Sequence, residues 1–165
     1  MGKTVKEYAE EMARMSTGVA KRLYEYILLN GEYFEGTTTS SILPRSALVG
    51  FILKRRRKKW CYYNAQMLSL LSGIWDIQYY EGVADNGIFV GAHAWNLYDG
   101  KVIDLTWEDF PREFADIPDV RPIEKFQYLG VKIPTSYVKK MSPIRTLRVQ
   151  PLLLTYVGLQ GLAMG

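Results

Sequence analysis

The chain of 165 residues holds one cysteine, Cys61, and one histidine, His93. A single cysteine cannot close an internal disulfide, and such usage predicts a reducing, cytoplasmic setting. A zinc site of the four-cysteine or two-cysteine, two-histidine kind is excluded by count, and no cofactor or metal is expected. No apolar run reaches the roughly 18 residues that a membrane span needs, so no membrane partner is expected. The opening stretch MGKTVKEYAEEMARM lacks an apolar h-region and carries three glutamates, unlike a secretory signal. Gly2 is followed by Lys6 rather than by a serine or threonine, so myristoylation is not expected either. Neither sign of charge dominates: the net formal charge is only +4. Internal repeats and low-complexity tracts are missing too.

Aromatic residues make up 13% of the chain, with twelve tyrosines and four tryptophans, which suggests broad packing faces or a groove. The length predicts one domain over residues 1–165. A chain of that size hides roughly 70% of its unfolded surface, so it needs no covalent staples.

Two helical patterns open the sequence. Residues 4–15 place Val5, Tyr8, Ala9 and Met12 on one stripe. Ser16 reads as the cap of a second helix, with Val19, Ala20, Leu23, Tyr24 and Ile27 as its stripe. Met12, Met15 and Met67 read as core. Residues 36–44 read as a loop, and residues 46–53 as a short apolar segment. Six cations follow: Lys54, Arg55, Arg56, Arg57, Lys58 and Lys59. From Cys61 the pattern is helical again, through Ala65, Leu68, Leu71 and Ile74.

The period then changes to two. Residues 77–83, 88–97 and 101–106 read as three strands, with Asp99-Gly100 as a tight hairpin turn. Helices followed by consecutive hairpins predict an α+β fold. Residues 107–122 are rich in proline and charge. The apolar tail from Pro151 reads as a final strand or helix closing the core, or as an interface segment.

The two singletons raise a chemical question. A thiolate, not a thiol, is the nucleophile, and a helix N-terminus or a neighbouring imidazolium favours it. A base must lie within hydrogen-bond reach, held by a third group. Cys61 stands at a predicted helix start. Counting from the Asp99-Gly100 turn, Tyr98 faces Lys101, and Asp104 falls opposite Trp95, on the same hairpin face as His93. Diagonal cross-strand partners are about 7–8 Å apart, so Asp104 can take one ring nitrogen of His93 and leave the other for Cys61.

Residues 61–107 resemble the transglutaminase-like cysteine enzymes. The matching pieces are Cys61 with Asn64, Ala65 and the helix through Leu68; the stretch QYYEGVA from Gln78; His93-Ala94-Trp95-Asn96; Asp99-Gly100; and Asp104-Leu105-Thr106-Trp107. The resemblance is nearest to small bacterial and phage members, and it extends to the leader peptidases of lasso-peptide biosynthesis. It implies a papain-like core with helices packed on an antiparallel sheet. It also implies a cysteine amide hydrolase or acyltransferase acting through a thioester on a peptide or protein substrate. Cys61 would be the nucleophile, His93 the base and then the acid, and Asp104 the orienter. Trp60, Asn64 and Trp95 are candidates for oxyanion or substrate contacts. No glycine precedes the cysteine and no acidic calcium cluster is present, which favours hydrolysis over cross-linking.

The cationic run has three readings: a solvated approach to the Cys61 helix, a docking place for an acidic partner, or a nucleic-acid contact, of which the last is least favoured. A catalytically inactive binding protein using this run is the alternative function. Glu81 reads as a solvated strand residue or a groove-lining one.

Overall fold

A computed structural model describes residues 2–118, 120–141 and 151–164. The fold is mixed α and β, built on a curled, five-stranded antiparallel sheet. The strands are β1 (Glu32–Glu35), β2 (Ile77–Asp85), β3 (Val90–Tyr98), β4 (Lys101–Ile103) and β5 (Gln127–Ile133), in the spatial order β1-β5-β2-β3-β4. The helices are α1 (Val5–Met15), α2 (Gly18–Asn30), α3 (Ala47–Lys54), α4 (Cys61–Ser69), α5 (Phe110–Glu113), α6 (Thr135–Met141) and α7 (Leu153–Met164).

α1 starts where a capping box forms. The Glu7 N–H donates to Thr4 Oγ1 at 3.2 Å, and the Thr4 N–H donates to Glu7 Oε2 at 2.7 Å. The helix buries Val5, Ala9 and Ala13, one residue per turn. Ser16 does not cap α2 as the sequence suggested. It closes α1, donating its N–H to the Met12 carbonyl at 3.0 Å, and Gly18 turns the chain with a φ of 60°. That turn places Val19 and Ala20 in solvent, leaving Ile27 as the buried residue of α2. Met15 is 73% exposed and Ile74 63%, so neither joins the core. The segment 46–53 is α3, capped by Ser46, whose Oγ accepts from the Val49 N–H at 3.1 Å.

The hairpin register follows the Asp99-Gly100 turn. Both residues have positive φ, 51° and 71°, as a type I′ turn requires. Tyr98 pairs with Lys101 and Asn96 with Ile103. The ladder stops there: β4 ends three residues before the predicted Thr106, because the chain turns at Asp104.

The sheet has a core on each face. Tyr79 and Val83 of β2, Ala94 of β3 and Leu129, Val131 and Ile133 of β5 pack against α1, α2 and Leu152–Leu153. Their alternates, Tyr80, Ala84, Trp95 and Tyr128, pack with Phe110 and Phe126 on the other face. A third cluster joins α3 and α4 to the hairpin through Val49, Ile52, Leu68, Leu71, Ile77 and Ile103. The apolar tail is a helix, and Leu152 and Leu153 seat its start in the core.

Gly82 and Gly130 face each other across β2 and β5. A Cβ on Gly130 would lie 2.4 Å from Trp95 Cη2 and 2.7 Å from the Glu81 carbonyl oxygen. The indole therefore lies over a floor that only glycine leaves open. Gly130→Ala is expected to destabilise the protein by about 2–3 kcal/mol through overpacking, read as a lowered urea midpoint. An unchanged midpoint would mean that the indole has room to move.

Candidate active site

The ending of β4 at Ile103 opens the outer edge of β3, and the first turn of α4 lies there. Asn96 Nδ2 donates to the Ala65 carbonyl at 2.9 Å, and Asn64 Nδ2 donates to Thr106 Oγ1 at 2.9 Å. Asn64 also holds Arg57, accepting from its N–H and donating to its carbonyl, each at 2.8 Å. Its amide donors are thus committed to holding the α4 start and are not aimed at an oxyanion.

Cys61 is the first residue of α4 and is partly buried. α1 and α3 receive side-chain caps, but α4 does not: its N-cap is Trp60, with no capping hydrogen bond. The first N–H groups of a helix have no intrahelical acceptor, so the N–H groups around Cys61 stay open to a ligand. The chain enters through Lys59 at a φ of 65°, a left-handed conformation rare for a side-chain-bearing residue.

His93 is 3% exposed and Asp104 1%. His93 Nε2 lies 2.7 Å from Asp104 Oδ2. Cys61 is close enough to the imidazole to favour its charged form. The three candidate residues are therefore brought together. Burial opposes the charged imidazole, yet the Asp104 charge and hydrogen bond, with the Cys61 contact, outweigh it and raise His93 to about 10. Trp107 covers the imidazole, its ring 3.8 Å away and nearly parallel at 16°.

Asp104 is fully satisfied. Oδ1 accepts from the backbone N–H groups of Thr106 and Trp107, both at 3.1 Å. Oδ2 accepts from the Tyr128 hydroxyl at 2.9 Å, besides facing His93. Tyr128 comes from β5, and nothing in the local sequence pattern pointed to it. Only its cross-strand place, two strands from His93, brings it in.

Trp60 is 40% exposed and makes an edge contact with Tyr63, with the Arg57 guanidinium 4.7 Å from its ring. It remains free to touch a ligand. Trp95 is fully buried, 5.0 Å from Tyr128 and stacked on Tyr80 at 6.0 Å, so it packs and does not touch substrate. Tyr79 and Tyr80 are buried as well. Glu81 is neither solvated nor groove-lining: it is 3% exposed and receives the N–H groups of Leu152 and Leu153 at the α7 start.

The cationic run is largely engaged within the protein. Arg56 pairs with Glu108 and Asp109, Lys58 with Glu113 at 2.6 Å, and Arg55 lies over Phe51 at 3.4 Å. Glu108 also accepts from the Ser40 N–H at 2.5 Å. These bonds draw residues 39–46 and 108–112 together around a cavity of about 610 Å³. Leu43, Val49 and Leu53 line its floor, and Arg45, Arg56 and Arg112 its rim. The triad residues do not line it; Glu108, one residue beyond Trp107, does.

Among the described residues, no helix is long and apolar enough to cross a membrane, and no group of three His, Cys, Asp or Glu could hold a metal ion. In comparisons with known protein families, with curated proteins and with solved structures, nothing matches this chain.

Proposed function

We propose that this protein is a cysteine-dependent amide hydrolase or acyltransferase of the transglutaminase-like, papain-like kind, working in the cytoplasm on a peptide or protein substrate. One observation carries the reading. A thiol at an uncapped helix start meets a buried imidazole whose far nitrogen is held at 2.7 Å by a fully satisfied carboxylate. That arrangement suits nucleophilic acyl transfer.

In the proposed cycle the Cys61 thiolate attacks the carbonyl carbon of the substrate amide. The oxyanion is received by the open N–H of Cys61. The C–N bond then breaks, and the imidazolium of His93 gives its proton to the leaving amine. His93, now neutral, takes a proton from water, or from an amine acceptor. That nucleophile attacks the thioester, the C–S bond breaks, and the thiolate–imidazolium pair is restored. The open edge beside Trp60 suits the approach of an extended chain. The cavity between the two loops is where a flanking, acidic part of the substrate would bind. Among the described residues Arg45, Lys54 and Lys59 make no ion pair and are free to attract it.

The test is turnover of a peptide and glutamine-amide library, with water or an amine as acceptor, read by mass spectrometry. Wild type should accumulate an acyl adduct on Cys61, and Cys61→Ala should lose both adduct and product. The engaged state of Arg56 and Lys58 weighs against the rival reading, a binding protein built on the cationic run. Tight, salt-sensitive binding of an acidic or nucleic-acid ligand, unchanged in Cys61→Ala and without turnover by wild type, would favour that rival.

A further inference from the structure

Tyr128 has no counterpart in the three-residue line argued from the sequence, yet it touches that line at its base. Its hydroxyl lies 2.9 Å from Asp104 Oδ2, the oxygen that also faces His93. The residue is fully buried, and its ring packs against Trp95 at 5.0 Å, over the Gly82–Gly130 floor. We propose that Tyr128 is a positioning residue that draws charge from Asp104 and so weakens the grip of the carboxylate on the His93 proton.

The chemistry follows from sharing. A carboxylate oxygen that accepts two hydrogen bonds offers less electron density to each donor than one that accepts a single bond. Burial and the Asp104 charge push the Tyr128 phenol well above its ordinary range, so it keeps its proton and donates across the working range. Without that donor, Asp104 would hold the imidazolium more tightly, and His93 would give up its proton later. In the acyl-transfer cycle proposed above, on which the kinetic part of this inference rests, His93 must release that proton to the leaving amine. Tyr128 thus favours the acid step without touching the substrate.

Among the described residues, few other groups face His93. Cys61 faces it from α4 and Asp104 from the end of the hairpin. Trp107 covers it without charge, and Gly82 on β2, its register partner, has no side chain. As the only histidine in the chain, His93 gives a single pair of imidazole signals.

The experiment is a nitrogen-15 NMR titration of His93 in Cys61→Ser protein, with and without Tyr128→Phe. The serine background removes the thiolate and makes the readout independent of turnover. The midpoint should rise by roughly one pH unit on Tyr128→Phe, the size expected for losing one hydrogen bond to a charged group. The rise should vanish when Asp104→Asn is also present, because Tyr128 acts through that carboxylate. In the Cys61-containing protein, Tyr128→Phe should lower kcat severalfold with KM unchanged. An unchanged or lowered midpoint in a folded Tyr128→Phe protein overturns the proposal. So does a rise that survives in Asp104→Asn. If Tyr128→Phe fails to fold, the same titration with 3-fluorotyrosine incorporated at position 128, a stronger donor of nearly the same shape, should lower the midpoint, and no lowering overturns the proposal. A midpoint shift in a chain without turnover would remove the enzyme reading and leave the Tyr128–Asp104 linkage standing.

Discussion

Iodoacetamide should modify wild-type Cys61 readily at pH 6.5, and His93→Ala should slow the reaction at that pH severalfold. With a value of about 10, the His93 imidazole stays protonated at this pH. The sign is that of a base held by an anion: the charged form is present below the raised value and lost only as pH rises through it. A cation in hydrogen-bond contact favours the thiolate form of its neighbour. An ordinary thiol is only about 1% ionised at pH 6.5, which sets a ceiling of roughly a hundredfold on the difference. A thiolate stabilised in this way is also less nucleophilic, which brings the expected ratio down to severalfold. The alanine variant keeps the sheet, because Ala92 and Ala94 flank His93 in a strand paired on its β2 side over its whole length. Equal alkylation of the two folded proteins at pH 6.5 would show that thiol and imidazole are mere neighbours. The acyl-transfer proposal would then fail.

Why β2, β3 and β4 could be read and β1 and β5 could not is a matter of range. Asp99-Gly100 carries its own geometry: two positive φ values at residues that tolerate them fix the register of β3 on β4. From that register the proximity of His93 and Asp104 follows by counting. β5 has no such signal. QYLGVKI is buried on both faces and pairs with β1 and β2, far away in sequence. β1 is four residues of an edge strand with a glutamate at each end, a poor strand pattern that long-range pairing overrides. Tyr128 and Glu81 were missed for the same reason. Each acts on a partner 24 or more residues away, Asp104 for one and Leu152 for the other. Solvated-face reasoning misreads Glu81 because alternation on a strand assumes one wet face, and β2 has none: eight of its nine residues are buried.

Glu81→Ala should cost about 3–5 kcal/mol, the range found when one member of a buried, hydrogen-bonded polar set is deleted. Glu81 accepts from the Leu152 N–H at 2.6 Å, the Leu153 N–H at 2.7 Å and the Tyr79 hydroxyl. No water-filled space replaces it, since Tyr79 is fully buried and Leu152 and Leu153 are 4% and 3% exposed. Alanine leaves these donors without the carboxylate, and the start of α7 loses its cap. Amide exchange at Leu152 and Leu153 should then speed up before that of β2 and β3, and the urea midpoint should fall. Glu81→Gln keeps the shape and one acceptor, so its cost should be smaller, about 1–2 kcal/mol. The two effects on the carboxyl group itself oppose each other. Burial pushes the Glu81 carboxyl up, against its hydrogen bonds. A folded-state value above the unfolded one means that its contribution is full at low pH and is lost as pH rises through the raised value. The advantage of wild type over Glu81→Gln should therefore be larger at pH 4.5 than at pH 8. A widening gap toward alkaline pH would mean that the carboxylate, not the carboxylic acid, is the form the fold prefers. Equal stability of Glu81→Ala and wild type would mean that α7 needs no anchor on β2. Glu81 pairs across the ladder with Ala94, the neighbour of His93. The same carboxyl that seats the last helix thus stands behind the strand that presents the histidine.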